Sequence, residues 1–209
     1  MNKDALATSL ADLIVEFNKK GWSAATGTNY SFRVETSDDF YWVSQSGKDK
    51  AYFQADDFMK VLLTGHVCPG YEQFKPSAEN LIHAVIYQKS AAKVILHSHS
   101  VNATILSHYF LDKSENYILI AGYEVQKAIT GFTTHEEELF LPLFKNSQDM
   151  QKLTEEISER WEFCNKAFGF AIGNHGLYTW GKDLATAKRH IEAYEFLLEC
   201  VYKRIVLNK

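Results

Sequence analysis

Cysteine is scarce in this chain, and its scarcity removes whole classes of fold. Cys68, Cys164 and Cys200 are the three copies in 209 residues, far apart and without a CxxC pair. That excludes a disulfide-stapled scaffold and fits a reducing, cytoplasmic setting. Proline is equally rare, at three copies, so no segment reads as a stiff linker or a low-complexity tract. No apolar run approaches the roughly 18 residues of a membrane span, and no secretory apolar stretch follows Met1. Positive charge is not in excess: 22 Lys and Arg face 26 Asp and Glu, a formal charge of −4. A nucleic-acid partner needs a basic face and is not expected. A small anionic substrate remains open, because a local pocket decides that.

What is abundant is core material. Hydrophobic residues make up 46% and aromatics 14%, enough to exclude disorder and to fill a sizeable interior. No repeat is visible, so one domain over residues 1–209 is the economical expectation. Leu6, Leu10, Leu13, Ile14 and Phe17 recur at helical spacing and predict a helix over 4–20, stopped at Gly21. Similar stripes predict helices over 101–110 and 148–163, and a last one from an Asp183 cap to about Val206. Short apolar runs at 41–43, 52–53, 94–97, 117–121, 139–143 and 168–172 read as strands.

The central stretch is Val94-Ile95-Leu96-His97-Ser98-His99-Ser100. Side chains of a strand alternate between faces, so His97 and His99 point one way and Ser98 the other. Two imidazoles on one face form half a metal site. Gly173-Asn174-His175-Gly176 offers a third, because flanking glycines let the backbone turn sharply and pass close to another group. Three neutral histidines leave a coordination position open on a zinc-like ion, which is the catalytic arrangement.

Two acids have helix-start positions. In Lys75-Pro76-Ser77-Ala78-Glu79, Ser77 reads as the N-cap, and Glu79 is either a complement to the helix dipole or a base near the metal. In Gly122-Tyr123-Glu124-Val125, Glu124 sits among apolar neighbours. It is either a solvated first-turn acid or a carboxylate raised in pKa by low dielectric. His83, on the helix after Glu79, reads as a core histidine. Two turns carry small polar residues: Gly27-Thr28-Asn29, and Ser44-Gln45-Ser46-Gly47-Lys48. Each is either a plain loop or an anion cradle.

Lys75-Pro76-Ser77-Ala78-Glu79, His97-Ser98-His99-Ser100 and Asn174-His175-Gly176, in this order, resemble the class II aldolase/adducin-type family over nearly the whole chain. Ser46-Gly47-Lys48-Asp49-Lys50, Gly122 to Ala128 and Asn174 to Lys182 are similar to the dehydratases of that family. The resemblance implies a three-layer α/β/α sandwich around a largely antiparallel sheet. It implies a homotetramer with active sites near subunit boundaries and one Zn2+ per subunit, held by His97, His99 and His175. It places Asn29, Ser46, Gly47 and Ser77 at the phosphate of a phosphorylated keto-sugar. Glu79 matches the aldolase base and Glu124 the acid of the dehydratases, the latter preferred for catalysis. The alternatives are an aldolase or 4-epimerase on the same scaffold, and a metal-free, adducin-like binding domain. One departure is notable: the family pattern Ser-Gly-Asn reads Gly27-Thr28-Asn29 here.

Overall fold

The computed structural model describes residues 2–36 and 38–208. The chain opens with α1 (Lys3–Lys19), where the Asn2 side chain accepts the Ala5 N–H at 2.9 Å. Gly21, at φ +78°, takes the left-handed turn that ends it. Then come β1 (Tyr30–Phe32), β2 (Phe40–Ser44), β3 (Phe58–Leu62), α2 (Asn80–Lys89), β4 (Val94–Ser98), α3 (Val101–Asp112) and β5 (Tyr117–Ile120). The second half adds β6 (Leu139–Phe144), α4 (Met150–Glu159), α5 (Trp161–Ala167), β7 (Gly169–Ile172), β8 (Gly176–Gly181) and α6 (Leu184–Leu207).

The strands form one sheet in the order β3-β2-β1-β4-β8-β7-β6-β5. Its neighbours pair antiparallel, apart from the parallel β6–β7 pair. Alternation along each strand divides the interior in two. Tyr30, Phe32, Val94, Leu96 and Leu177 pack with α1, α3 and α6 on one face. Tyr41, Val43, Ile95, Phe170, Tyr178 and Trp180 pack with α2 and α4 on the other. This is the expected α/β/α sandwich. Among the described residues, no helix is long and apolar enough to cross a membrane.

Local chemistry overrides the sequence pattern in three places. The strand expected at Tyr52-Phe53 is a 3-10 helix, Lys50–Tyr52, because the Asp49 side chain caps the Ala51 N–H at 2.9 Å. The helix expected over 148–163 breaks at Arg160, whose guanidinium reaches back to the carbonyls of Leu143 (2.7 Å) and Asn116 (2.8 Å). Finally, Ser77 is not the cap of α2. Its hydroxyl accepts the Glu79 N–H at 3.3 Å within a turn, and the helix starts at Asn80 with Glu79 in the cap position. Glu79 is therefore free of its own helix end and turns toward the sheet.

Candidate metal centre

The end of β4 and the turn into β8 meet at the histidines. His97 pairs in register with Tyr178, and their rings stack at 3.9 Å between centroids. Gly176 makes that pairing possible: a Cβ there would lie 2.0 Å from the Ser98 carbonyl oxygen. Gly27 does the same for the other side, since a Cβ would stand 2.8 Å from His99 Nδ1. The Nε2 atoms converge, His97 to His99 at 2.8 Å and His97 to His175 at 3.4 Å. Nitrogens bound at about 2.1 Å to a tetrahedral ion lie about 3.4 Å apart, so the spacing suits one cation with a modest opening of the His97–His99 pair. His97 Nδ1 lies 3.0 Å from the Leu177 carbonyl. Only a protonated Nδ1 can donate there, which leaves the Nε2 lone pair facing the cluster. Burial, reinforced by the neighbouring imidazoles, holds His97 well below its ordinary pKa. Burial, then His175, takes His99 to about 4. The two rings are therefore neutral near pH 7, the form a metal requires. Together His97, His99 and His175 form a group able to hold a metal ion.

Glu79 is the carboxylate at this cluster. Its Oε1 lies 3.0 Å from His175 Nε2 and its Oε2 3.6 Å from His97 Nε2. Tyr178 donates its hydroxyl to Oε2 at 2.9 Å, and the Asn29 amide donates to the same oxygen. Burial opposes ionisation, but His175, His97 and Tyr178 overcome it and hold Glu79 well below the usual carboxylate range. Asn29, expected at a phosphate, has Glu79 as the partner of its amide, and its carbonyl end faces His83 Nε2. His83 Nδ1 in turn meets Ser31 Oγ at 2.6 Å, and burial lowers its pKa to about 3.

Glu124 is elsewhere. Its carboxylate is 65% exposed and ion-paired with Lys127 and, at 2.8 Å, His135. Lys127 is the main cause of its lowered pKa. The low-dielectric environment expected for it is absent, because the 3-10 helix Glu124–Ala128 turns this side chain to solvent. Ser46 and Gly47 form an exposed turn, and Ser77 is half-buried. The Ser46 N–H donates to the Lys75 carbonyl at 2.9 Å, and Gln45 bridges Pro76. The two expected phosphate segments are thus neighbours. Thr28 holds φ +71° with a buried hydroxyl that has no hydrogen-bond partner among the described residues.

Sequence reasoning gave Tyr178 and His83 no place in the site. The Glu79–His83 spacing of four, one helical turn, was the available signal for His83. For Tyr178 the signal was alternation from Gly176, visible only once β8 is known to be a strand.

The sequence pattern of the family described as the class II aldolase and adducin N-terminal domain matches residues 8–202. The chain belongs to this family. A relative from Picosynechococcus sp., named methylthioribulose-1-phosphate dehydratase, is 46% identical over 200 residues, covering 95% of this chain and 92% of that one. A second protein of that name, from Enterobacter sp., is 39% identical with both chains fully covered. Among solved structures, L-fuculose-1-phosphate aldolase from Thermus thermophilus superimposes with a TM-score of 0.76 at 18% identity, over all of both chains. That likeness speaks to the fold alone.

Proposed function

We propose that this chain is a lyase that dehydrates 5-methylthioribulose 1-phosphate to 2,3-diketo-5-methylthiopentyl 1-phosphate, a step of methionine salvage, with zinc held by His97, His99 and His175. The observation that carries the reading is the convergence of three imidazole Nε2 atoms beside an ionised carboxylate. The names of full-length relatives select the reaction.

A divalent cation of the zinc type supplies, when bound, a Lewis acid for the sugar oxygens. The chain must do the rest. Glu79 is held ionised and takes the C3 proton. Asn29, anchored by His83, and Tyr178 fix its oxygens toward the cluster, so little reorganisation accompanies the transfer. The C4 hydroxyl leaves as water and needs a proton donor. Glu124 is assigned to it, in the protonated form that removal from water and from Lys127 at a subunit boundary would favour. Because Glu124 faces solvent away from its own histidines, it acts at the site of a neighbouring copy in the homotetramer that the family resemblance implies. The resulting C3–C4 enol tautomerises to the ketone. Ser46, Gly47 and Ser77 receive the phosphate, whose binding energy orients the sugar.

Aldol cleavage or 4-epimerisation is the second reading. One observation favours it: the acid at the histidines is Glu79, the aldolase-type position. Incubation of metal-loaded protein with the substrate separates the two. A diketone supports dehydration, whereas dihydroxyacetone phosphate with an aldehyde refutes it. A protein that binds no metal and turns over nothing returns the chain to an adducin-like binding role.

A further inference from the structure

Two lysines leave the Ser46–Gly47 turn, and they are treated oppositely. Lys48 is partly exposed and paired with Asp57 at 2.7 Å. Lys50 is 1% exposed. Its ammonium donates to the Lys48 carbonyl at 2.9 Å and lies 5.5 Å from the Phe53 ring centroid. An ammonium has three protons to donate, and among the described residues that carbonyl is its protein acceptor. The two carboxylates whose charge acts on it are hydrogen-bonded elsewhere: Asp49 caps the Ala51 N–H, and Asp57 holds Lys48 and the Gln54 N–H. Burial outweighs the attraction of Asp57 and Asp49, neither of which pairs with it directly, and lowers the ammonium to about 8.

A buried cation without a paired acid is costly unless an anion completes it. The position of Lys50 says which anion. It is hydrogen-bonded to the same turn that carries Ser46 and Gly47, and that turn is joined to Lys75-Pro76-Ser77 by backbone pairing. We infer that Lys50 is the buried cation that binds the phosphate of the substrate, and so selects a phosphorylated sugar over a neutral one. This rests on the sugar-phosphate reading above. The plain alternative is a clip that closes the turn through the Lys48 carbonyl and does nothing else.

The test begins with inorganic phosphate and protein stripped of metal by a chelator, so that phosphate on the cation is not counted. Calorimetry on the wild type, Lys50→Met and Lys50→Arg gives the affinities. Loss of a charge-assisted hydrogen bond predicts phosphate binding about 10- to 100-fold weaker in Lys50→Met, with Lys50→Arg between the two. On metal-loaded protein, KM for the sugar phosphate rises by a similar factor while kcat changes little. A folded Lys50→Met that binds phosphate as the wild type does overturns the inference. So does a fall in kcat at constant KM, or a wild type that binds no phosphate. If the variants do not fold, a phosphate-soaked crystal of the wild type decides: an oxygen within about 3 Å of Lys50 Nζ is expected, and phosphate seated elsewhere overturns it. Phosphate held by Lys50 in a protein that does not turn over the substrate sinks the dehydratase reading alone. Dehydration with phosphate indifferent to Lys50 sinks only this one.

Discussion

Glu79 and Glu124 stand at comparable places in sequence, each opening a short helical segment, yet they meet opposite surroundings. Glu79 is gripped by Asn29 from before β1 and by His175 and Tyr178 from the turn and strand of β8, two segments far from it in sequence. Glu124 has for partners a lysine three residues away and His135, and is otherwise in water. An acid's neighbours along the chain therefore say little about its chemistry; long-range convergence decides it. The largest effects should follow this division. Glu79→Gln is expected to lower kcat by about 10²–10⁴, the range for a lost acid or base, and to shift the melting temperature, since three donors lose their anion. Glu124→Gln should lower kcat over the same range and leave melting unchanged. Mixing the two inactive variants under conditions that exchange subunits should restore part of the activity, because some sites then combine an intact Glu79 with an intact Glu124 from a neighbour. Full turnover by Glu124→Gln, or no recovery on mixing, removes Glu124 from the mechanism.

A third carboxylate sharpens the comparison by showing burial without partners of opposite charge. Glu195, on α6, lies behind β4, where Ser98 donates to Oε1 at 2.5 Å while Oε2 is buried without a partner. Burial raises it to about 7. Between its unfolded value near 4.5 and about 7, the folded state holds more protons than the unfolded one. Its contribution to stability is thus complete below pH 4.5 and is lost as pH rises through 7. The shift corresponds to on the order of 3 kcal/mol. Glu195→Gln cannot titrate, so its stability relative to the wild type should climb by about that amount between pH 4.5 and 8, in chemical denaturation of metal-free protein. The buried histidines work in the opposite direction. His83, His99 and His190, lowered by burial to about 3, 4 and 4, withdraw stability as pH falls below 6.5. They are common to both proteins and cancel in the difference. A flat difference across that range would mean that Glu195 is ionised in the fold.

The architecture was legible because it rests on period and punctuation. The Leu6-to-Phe17 stripe, the Gly21 stop and the Asp183 cap appear where the pattern puts them. The histidine cluster was half legible. His97 and His99 share a face by simple alternation, but nothing local to His175 says that it returns to them; that depends on β8 pairing with β4. The partners of Glu79 were not legible, because Asn29 precedes β1 and Tyr178 lies on β8, and their adjacency to the start of α2 is a property of the sheet order. The opposite errors at Ser77 and Tyr52 share a cause. Side chains that accept nearby backbone N–H groups, Ser77 from Glu79 and Asp49 from Ala51, set the local chain path against propensity.

The smallest effect isolates one donor of the Glu79 grip. Tyr178→Phe keeps the ring that stacks on His97 and removes the hydroxyl that donates to Glu79 Oε2. A hydrogen bond to a charged group is worth about 1.5–3 kcal/mol, but Asn29 still holds the same oxygen, so the lower end applies and kcat should fall about tenfold. The direction in pH is fixed as well. Tyr178 is one of the groups that keep Glu79 below the usual carboxylate range. Removing it raises the pKa of Glu79, shortens the span over which Glu79 is ionised, and moves the acid limb of kcat/KM toward neutral pH. Measuring that limb in wild type and Tyr178→Phe separates two roles for the tyrosine. If kcat falls and the limb stays in place, Tyr178 acts on the substrate and not through Glu79, and the contrast between a gripped acid and a free one loses one of its supports.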